Sequence, residues 1–173
     1  MSMAPARFAL KFVIGFAILM GAFEAARGTA FERFVVEDVI LLPTVKLIDA
    51  ITPAEQVTLV GRSLVSPGAT LHVTRGCEGV EMFLLLIAAI LAFPASPRSR
   101  FRGLIFGSAL AYMLSIARLM ALHYVLRYSP GAWDVSHGLI LPLAPIMMMA
   151  LFFLRWSDSA VTVGGPNRPM RAA

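Results

Sequence analysis

The fold is decided by residues 75–94, which read RGCEGVEMFLLLIAAILAFP. A cysteine flanked by Gly76 and Gly79 is followed by a nearly uninterrupted apolar run, and Pro94 closes that run. The length of the run falls within the ~17–25 residues that a transmembrane helix requires, and proline is a frequent stop signal. The stretch therefore predicts a membrane helix over residues 77–94 whose first turn carries Cys77.

Three further apolar runs, at residues 8–25, 103–126 and 137–155, have a similar length and character. Hydrophobic residues make up 58% of the 173-residue chain and charged residues only 14%, whereas soluble domains contain roughly 45–50% apolar residues. We therefore predict an all-α integral membrane protein with about four transmembrane helices in one domain, residues 1–173. Residues 157–173 are predicted to form a cytoplasmic tail.

The charged and sulfur-bearing residues exclude other classes of protein. The formal net charge is +5, but the basic residues are scattered between apolar runs and form no stripe of the kind that binds nucleic acid. Cys77 is the only cysteine, so an intrachain disulfide and a CxxC motif are both impossible. We expect membrane lipid as a surrounding partner, no nucleic acid and no cofactor.

The first apolar run has two interpretations. Arg7 and Lys11, the apolar stretch after them and the small residues Ala25 and Ala26 are also typical of a cleaved signal peptide. The run is long for a signal core, and no clean small-x-small site follows it. A retained transmembrane helix is therefore the favoured interpretation.

Two segments between the first and second runs are predicted to lie outside the hydrocarbon core. Residues 34–52 are apolar but include Asp38 and Asp49, and a charge at the bilayer centre costs about 3 kcal/mol on insertion scales. An amphipathic helix on the outer membrane surface is the better interpretation. Residues 57–75 alternate imperfectly around the turn signal SPG at 66–68, which predicts a short β-hairpin of two strands.

The distribution of basic residues predicts the orientation of the chain. With a cytoplasmic N-terminus, basic residues are denser in the inner segments, as the positive-inside rule requires. The predicted inner basic residues are Arg7, Lys11, Arg98, Arg100, Arg102, Arg155, Arg168 and Arg171. The chain is therefore predicted to be a multi-pass protein of the cytoplasmic (inner) membrane, with residues 57–75 on the outer, periplasmic side.

In this orientation three chemically capable side chains lie at a similar depth near the outer surface. Cys77 starts the second predicted helix, Arg118 lies in the outer half of the third, and His137 starts the fourth. A thiolate is a nucleophile, a histidine accepts and returns a proton, and a buried arginine stabilises negative charge. This combination is typical of nucleophilic catalysis.

Each of these residues also has a structural interpretation. A free cysteine is often a small buried hydrophobe, an interfacial histidine can cap a helix, and Arg118 can snorkel or pair with Glu78 or Glu81. Asp134 and Ser136 are candidates to orient the His137 ring. Supporting or substrate-binding roles are predicted for Arg75, Glu78, Gly79 and Asp134.

The order of these motifs resembles that of exosortases and archaeosortases. Those multi-span membrane proteins carry a cysteine at the outer start of one helix, an arginine in the next, and a histidine or arginine at the start of the following one. Here the order reads Gly76-Cys77-Glu78-Gly79, then Ala117-Arg118-Leu119, then Ser136-His137-Gly138. The resemblance covers about residues 57–154, and the short N-terminal portion is similar to the compact, H-type exosortases.

The resemblance implies a membrane cysteine endopeptidase or transpeptidase. Members of this family act on exported proteins with a PEP-CTERM-like C-terminal sorting tail: a short motif, one transmembrane helix and a basic cluster. On this resemblance Cys77 is the nucleophile, Arg118 stabilises charge, and His137 is the general base and acid. Glu78 departs from the Ser or Asn that is frequent at its position, and a carboxylate there opposes thiol ionisation unless Arg118 or Arg75 neutralises it.

Two other functions remain open on the sequence. A non-enzymatic membrane assembly or lipid-binding helical bundle would use Arg118 to hold an anionic lipid and would not need the thiol. A metal- or haem-binding electron-transfer protein would draw on His72, His123 and His137. Because no two of these histidines have the i, i+4 spacing of a helical ligand pair, no metal site is predicted.

Overall fold

The computed structural model describes residues 3–162 of the chain, which form a mostly helical structure with a small antiparallel sheet. Two π-helical segments, Phe34–Leu41 and Ser136–Ile140, join α2 to α3 and α6 to α7 without a break. Short 3₁₀ turns lie at Pro53–Glu55 and Pro130–Ala132. The helices are α1 (Met3–Ala25), α2 (Ala30–Arg33), α3 (Leu42–Ile51), α4 (Val80–Ala92), α5 (Pro97–Tyr128), α6 (Trp133–Val135) and α7 (Leu141–Thr162).

Three helical stretches are long and apolar enough to cross a membrane: Ala6–Ala25, Pro97–Tyr128 and Pro130–Ala160. Large apolar side chains on their outer faces remain exposed, including Ile18, Phe106 and Leu151, as expected of helices that face lipid. The prediction of a helical membrane protein is thus consistent with the structure. The long stretches extend beyond the predicted limits 103–126 and 137–155.

The helix predicted over residues 77–94 is shorter than expected. Helix α4 has 13 residues, from Val80 to Ala92, which corresponds to about 20 Å against a hydrocarbon core of about 30 Å. Gly76 and Gly79 adopt positive φ angles of 81° and 84°, which an α-helix cannot contain. The prediction that Cys77 lies in the first helical turn is therefore wrong, since the helix begins three residues after it.

Four of the helices pack side by side in a bundle. Helix α1 lies along α4, α4 packs on α5, and α5 packs on α7. At one end Trp156 donates from Nε1 to the carbonyl oxygen of Ser99 at 3.1 Å, and it meets Phe93 edge-on at 5.5 Å between ring centroids. This contact ties the end of α7 to the start of α5, next to the arginines of residues 98–102.

The opposite end of the bundle is covered by the helix that runs through α2 and α3. Its buried face carries apolar side chains such as Val36, Leu41 and Ile48, whereas Asp38 and Asp49 are exposed. The amphipathic helix predicted over residues 34–52 is therefore observed, starting earlier, at Ala30. Its buried face packs against α5 and β1, and its contact with the membrane surface stays a prediction.

A three-stranded antiparallel sheet lies beside this helix. The strands β1 (Thr58–Val60), β2 (Ser63–Ser66) and β3 (Ala69–His72) follow one another in the order β1-β2-β3. The prediction of two strands is wrong because a tight turn at Gly61, with φ 57°, adds a strand before the predicted hairpin. Leu64 is fully buried, and β3 packs against α5.

The predicted cytoplasmic tail at residues 157–173 begins inside a helix. Helix α7 continues to Thr162, so residues 157–162 are helical, and the cytoplasmic location of this segment stays a prediction. The remaining residues of the predicted tail, 163–173, lie outside the described residues. Together, the segment Ser136–Ile140 and α7 run from the end of the bundle next to the sheet to the end that holds Trp156.

Candidate active site

The thiol of Cys77 and the imidazole of His137 are in direct contact. Sγ of Cys77 lies 3.3 Å from Nε2 of His137, which is within hydrogen-bonding distance for sulfur. Cys77 is 8% exposed, and the hydroxyl of Thr74 lies 3.6 Å from the same sulfur. A proton can therefore pass directly between the thiol and the ring, as activation of a cysteine nucleophile requires.

A tight loop holds Cys77 in this position. The amide of Cys77 donates to the carbonyl oxygen of Thr74 at 3.1 Å, and glycines with positive φ stand at positions 76 and 79. A Cβ atom at Gly79 would overlap the hydroxyl of Ser115 on α5 and lie 2.9 Å from Ser115 Cβ. The positive φ at position 79 and the close approach to α5 therefore both require glycine. Gly79 thus supports the shape of the loop, which is a structural role.

His137 is positioned by an aromatic neighbour. It lies in the π-helical segment Ser136–Ile140, and Trp133 stacks on its ring with 5.0 Å between centroids and 12° between planes. Asp134, predicted as a possible orienting residue, is exposed, and no hydrogen bond joins it to His137 among residues 3–162. Sequence analysis missed Trp133, although its i, i+4 spacing from His137 on a helix is a usable signal.

Arg118 reaches the Cys77 loop from α5. Its side chain is 7% exposed, and Nη1 donates to the carbonyl oxygen of Gly76 at 3.1 Å. The guanidinium is also close enough to Cys77 for electrostatic attraction to a thiolate. Its Nε–H is buried and finds no hydrogen-bond partner within the described part of the chain, so a donor remains for another oxygen.

Glu78 has a different partner from those predicted. Its carboxylate is 2% exposed and forms an ion pair with Arg62, in the turn between β1 and β2. Arg62 in turn donates to Glu32 at 2.9 Å. Arg75, predicted to neutralise Glu78, is exposed instead. Neither Arg62 nor Glu32 was predicted, because their contacts join segments far apart in the chain.

A second polar cluster fixes the Pro53–Glu55 turn, which precedes β1, to the end of α5. Glu55 accepts hydrogen bonds from the hydroxyl of Tyr128 and from Nε of Arg127, the latter at 3.2 Å. The Tyr128 hydrogen bond, with the charge of Arg127, holds the pKa of Glu55 below its usual range. His123 is fully buried with Nε2 3.8 Å from the same carboxylate. This cluster is structural in character, since it joins the Pro53–Glu55 turn to α5.

The three histidines do not converge on one site. His72 is exposed on β3, with Nδ1 2.8 Å from the hydroxyl of Ser63, whereas His123 is buried beside Glu55 and His137 contacts Cys77. No group of three or more potential ligands among His, Cys, Asp and Glu occurs in residues 3–162. The described residues therefore offer no cluster that would hold a metal ion.

Two apolar cavities lie between the helices of the bundle, and one of them borders the Cys77 loop. One, of about 230 Å³, lies between the end of α1, the segment Phe34–Leu41, α4 and α5, with Gly79 in its wall. The other, of about 310 Å³, lies between α1, α4 and α7, with Glu81 in its wall. Their walls are almost entirely apolar. Both cavities therefore suit hydrocarbon or apolar side chains.

Comparisons with protein-family models, with curated proteins and with solved structures found no match to this chain. A function can therefore be assigned only from the residues of the chain and from their geometry. The arrangement contains a buried thiol, an imidazole in contact with it, and a guanidinium with a spare hydrogen-bond donor.

Proposed function

We propose that this chain is a membrane cysteine endopeptidase or transpeptidase of the exosortase type, which processes C-terminal sorting tails at the outer face of the cytoplasmic membrane. The single observation that carries the proposal is the 3.3 Å contact between Cys77 Sγ and His137 Nε2. The position of Arg118 on the carbonyl oxygen of the preceding residue, Gly76, supports it. These residues come from separate elements, and a lone buried cysteine would need neither neighbour.

In the proposed reaction, His137 Nε2 takes the thiol proton as Sγ of Cys77 attacks the scissile carbonyl carbon. The carbonyl oxygen becomes an oxyanion, which the cationic guanidinium of Arg118 stabilises. The carbon–nitrogen bond then breaks, and His137 returns its proton to the leaving amine. Water or an acceptor amine next attacks the thioester carbon, and the Cys77 thiol leaves with a proton.

The proposed topology has four membrane helices, with α4 as a short one inside the bundle. Helix α4 packs against both α1 and α5, so in this topology it is held in the bundle by its neighbours although it is too short to reach both headgroup layers. The arginines at positions 98, 100 and 102 would lie in the cytoplasm and the sheet outside. This orientation satisfies the positive-inside rule and sets Cys77 near the outer surface.

The proposed substrate is an exported protein with a PEP-CTERM-like tail, composed of a motif, a transmembrane helix and a basic cluster. Such a tail presents its scissile bond at the depth proposed for Cys77. The cavity between α1, α4 and α7 has in its wall Glu81, which follows Cys77 by four residues in the sequence. Its apolar walls suit lateral entry of an apolar helix from the bilayer.

The test is co-expression with a tail-bearing protein, comparing the wild type with Cys77→Ala and Cys77→Ser. We expect both variants to insert into the membrane and to leave the tail uncleaved, as judged by the size of the partner. His72→Ala is the matched control, because His72 is exposed on β3 and contacts Ser63 rather than Cys77. Normal cleavage in the Cys77→Ala strain would exclude the proposed function.

The two apolar cavities favour a second candidate, a lipid-binding or assembly bundle without enzymatic activity. In that case Arg118 would hold an anionic headgroup, and Cys77 would be a buried hydrophobe. A thiol alkylator applied from outside distinguishes the two candidates. If the chain is a cysteine peptidase, alkylation of Cys77 abolishes its activity. If it is a lipid-binding or assembly bundle, the Cys77→Ala variant retains its function.

A further inference from the structure

A chain of charges leads from the end of α1 to the residue next to Cys77, in which Glu32 and Glu78 are buried and Arg62 is half-buried. Glu32 accepts a hydrogen bond from the amide of Gly28 at 2.6 Å and another from Arg62 at 2.9 Å. Arg27 also approaches Glu32 at 3.7 Å. Arg62 then pairs with Glu78. Three segments that are distant in the sequence are thus joined by alternating charges.

The last carboxylate of this chain lies beside the proposed nucleophile. Glu78 follows Cys77 directly, is 2% exposed and belongs to the same tight loop. A carboxylate close to a thiol opposes ionisation of that thiol, because two like charges repel strongly where water is excluded. Without a countercharge, Glu78 would therefore suppress the thiolate on which the proposed reaction depends.

Arg118 is not placed to neutralise Glu78. Its Nη1 donates a hydrogen bond to the carbonyl oxygen of Gly76, and its electrostatic partners are Cys77 and Glu81. Glu78 instead has the guanidinium of Arg62 against its carboxylate. The two arginines thus have different partners in the loop. Arg62 pairs with the Glu78 carboxylate, and Arg118 interacts with Cys77.

The position of Arg62 is itself fixed by local structure. Gly61 adopts a φ of 57° in the two-residue turn between β1 and β2, and the carbonyl oxygen of Arg62 accepts from the amide of Val73 at 2.9 Å. Glu32 holds the guanidinium from the other side. The pKa of Glu32 is held below its usual range, chiefly by the Gly28 amide and then by Arg62, so Glu32 is a carboxylate at neutral pH.

We infer that Arg62 is a positioning residue that neutralises Glu78 and thereby keeps the thiol of Cys77 reactive. Glu32 holds Arg62 in place for this role. The inference rests on the proposed nucleophilic role of Cys77, but its readout, the reactivity of one thiol, does not depend on any substrate. It also explains how a glutamate is tolerated directly after the nucleophile.

The experiment measures the rate at which iodoacetamide alkylates Cys77 in the purified full-length protein, across a range of pH. Because Cys77 is the only cysteine, the rate reports this thiol alone. We expect Arg62→Met to slow alkylation at pH 7 by about tenfold, as an uncompensated buried carboxylate disfavours the thiolate. Arg33→Met, at an exposed position on α2, is the matched control and should leave the rate unchanged.

Removal of the acid separates a charge effect from a loss of structure. Glu78→Gln alone should raise the rate at pH 7 several-fold, since Arg62 then adds positive potential near the thiol. The double variant Arg62→Met with Glu78→Gln should return to within about threefold of the wild type, because neither charge remains. This double variant tests the inference even where Arg62→Met alone folds poorly.

Two results would overturn the inference. One is an unchanged alkylation rate in both Arg62→Met and Glu78→Gln. The other is a double variant as slow as Arg62→Met, which would assign Arg62 a purely structural role. Failure of the proposed function is distinguishable from both of these results. In that case the Cys77→Ala strain would cleave the tail normally, while the alkylation rate would still fall in Arg62→Met and rise in Glu78→Gln.

Discussion

The imidazole of His137 lies against the thiol of Cys77 at 3.3 Å, although 60 residues separate them in the sequence. At the end of the bundle that carries the sheet, the contact joins the loop before α4 to the π-helical segment Ser136–Ile140, just before α7. Arg118, on the intervening helix, bonds to the same loop. Three successive apolar runs are therefore linked at one place by polar side chains.

The contact predicts that His137 is required for the proposed reaction at the chemical step. We expect His137→Ala to lower the rate of tail cleavage by about 100-fold or more, the usual contribution of a positioned general base. The measurement is the cleaved fraction of a tail-bearing partner over time. His137→Ala should still insert and retain a reactive thiol at high pH, and wild-type cleavage by this variant would contradict the assignment.

Gly79 provides a test of the loop itself. Gly79→Ala places a side chain at a φ of 84° and against Ser115 on α5, so we expect a loss of stability of about 1–3 kcal/mol, typical of a strained residue. Thermal unfolding in detergent measures it. Gly15→Ala is the control, because a Cβ atom there meets nothing within 4 Å, and an equal effect of both changes would contradict the prediction.

The long apolar runs were predictable because their length and composition are local properties. The runs that became α1, α5 and α7 were recognised, as was the amphipathic character of the helix through Phe34–Leu41. The start of α4 was placed too early, although Gly79 is a local signal of a helix boundary. Its positive φ places the boundary there, and its close approach to Ser115, 36 residues away, could not be read from the sequence.

The candidate site was predictable in part. Chemical capability and depth singled out Cys77, Arg118 and His137, and the structure brings these residues together, although their catalytic roles stay predictions. The partner of Glu78 was missed because Arg62 reaches it through the turn between β1 and β2, and that turn was not foreseen. Contacts between distant segments depend on how the strands pair, which a single sequence does not reveal.

Trp133 is predicted to act through His137 rather than on the substrate. It stacks on the ring with 5.0 Å between centroids, so its loss frees the imidazole to rotate away from Cys77. We expect Trp133→Ala to lower kcat for tail cleavage by about tenfold with little change in KM, and Trp133→Phe to restore most of the rate, as for a misplaced catalytic group. Equal rates for Trp133→Ala and the wild type would contradict this role.

Stability is predicted to fall in acid because of Glu55 and Glu32, whose pKa values are lowered in the folded state below 4.5. Tyr128 holds Glu55 most strongly, and the Gly28 amide holds Glu32. For a carboxyl with a depressed pKa, the stabilisation is present above the unfolded pKa and is lost as the pH falls through the folded pKa. We therefore expect the Tm to be level near neutrality and to fall as the pH drops below about 4.5.

The variants Glu55→Gln and Glu32→Gln should each reduce this dependence on pH. Removal of a carboxylate lowers the Tm at pH 7, where its hydrogen bonds to charged or hydroxyl donors are lost, and changes it less at pH 3, where the wild-type carboxyl is protonated. Asp49→Asn, at an exposed position on α3, is the control and should leave the pH profile unchanged. A Tm profile identical in the wild type and in both glutamine variants would show that neither carboxylate contributes to the acid limit of stability.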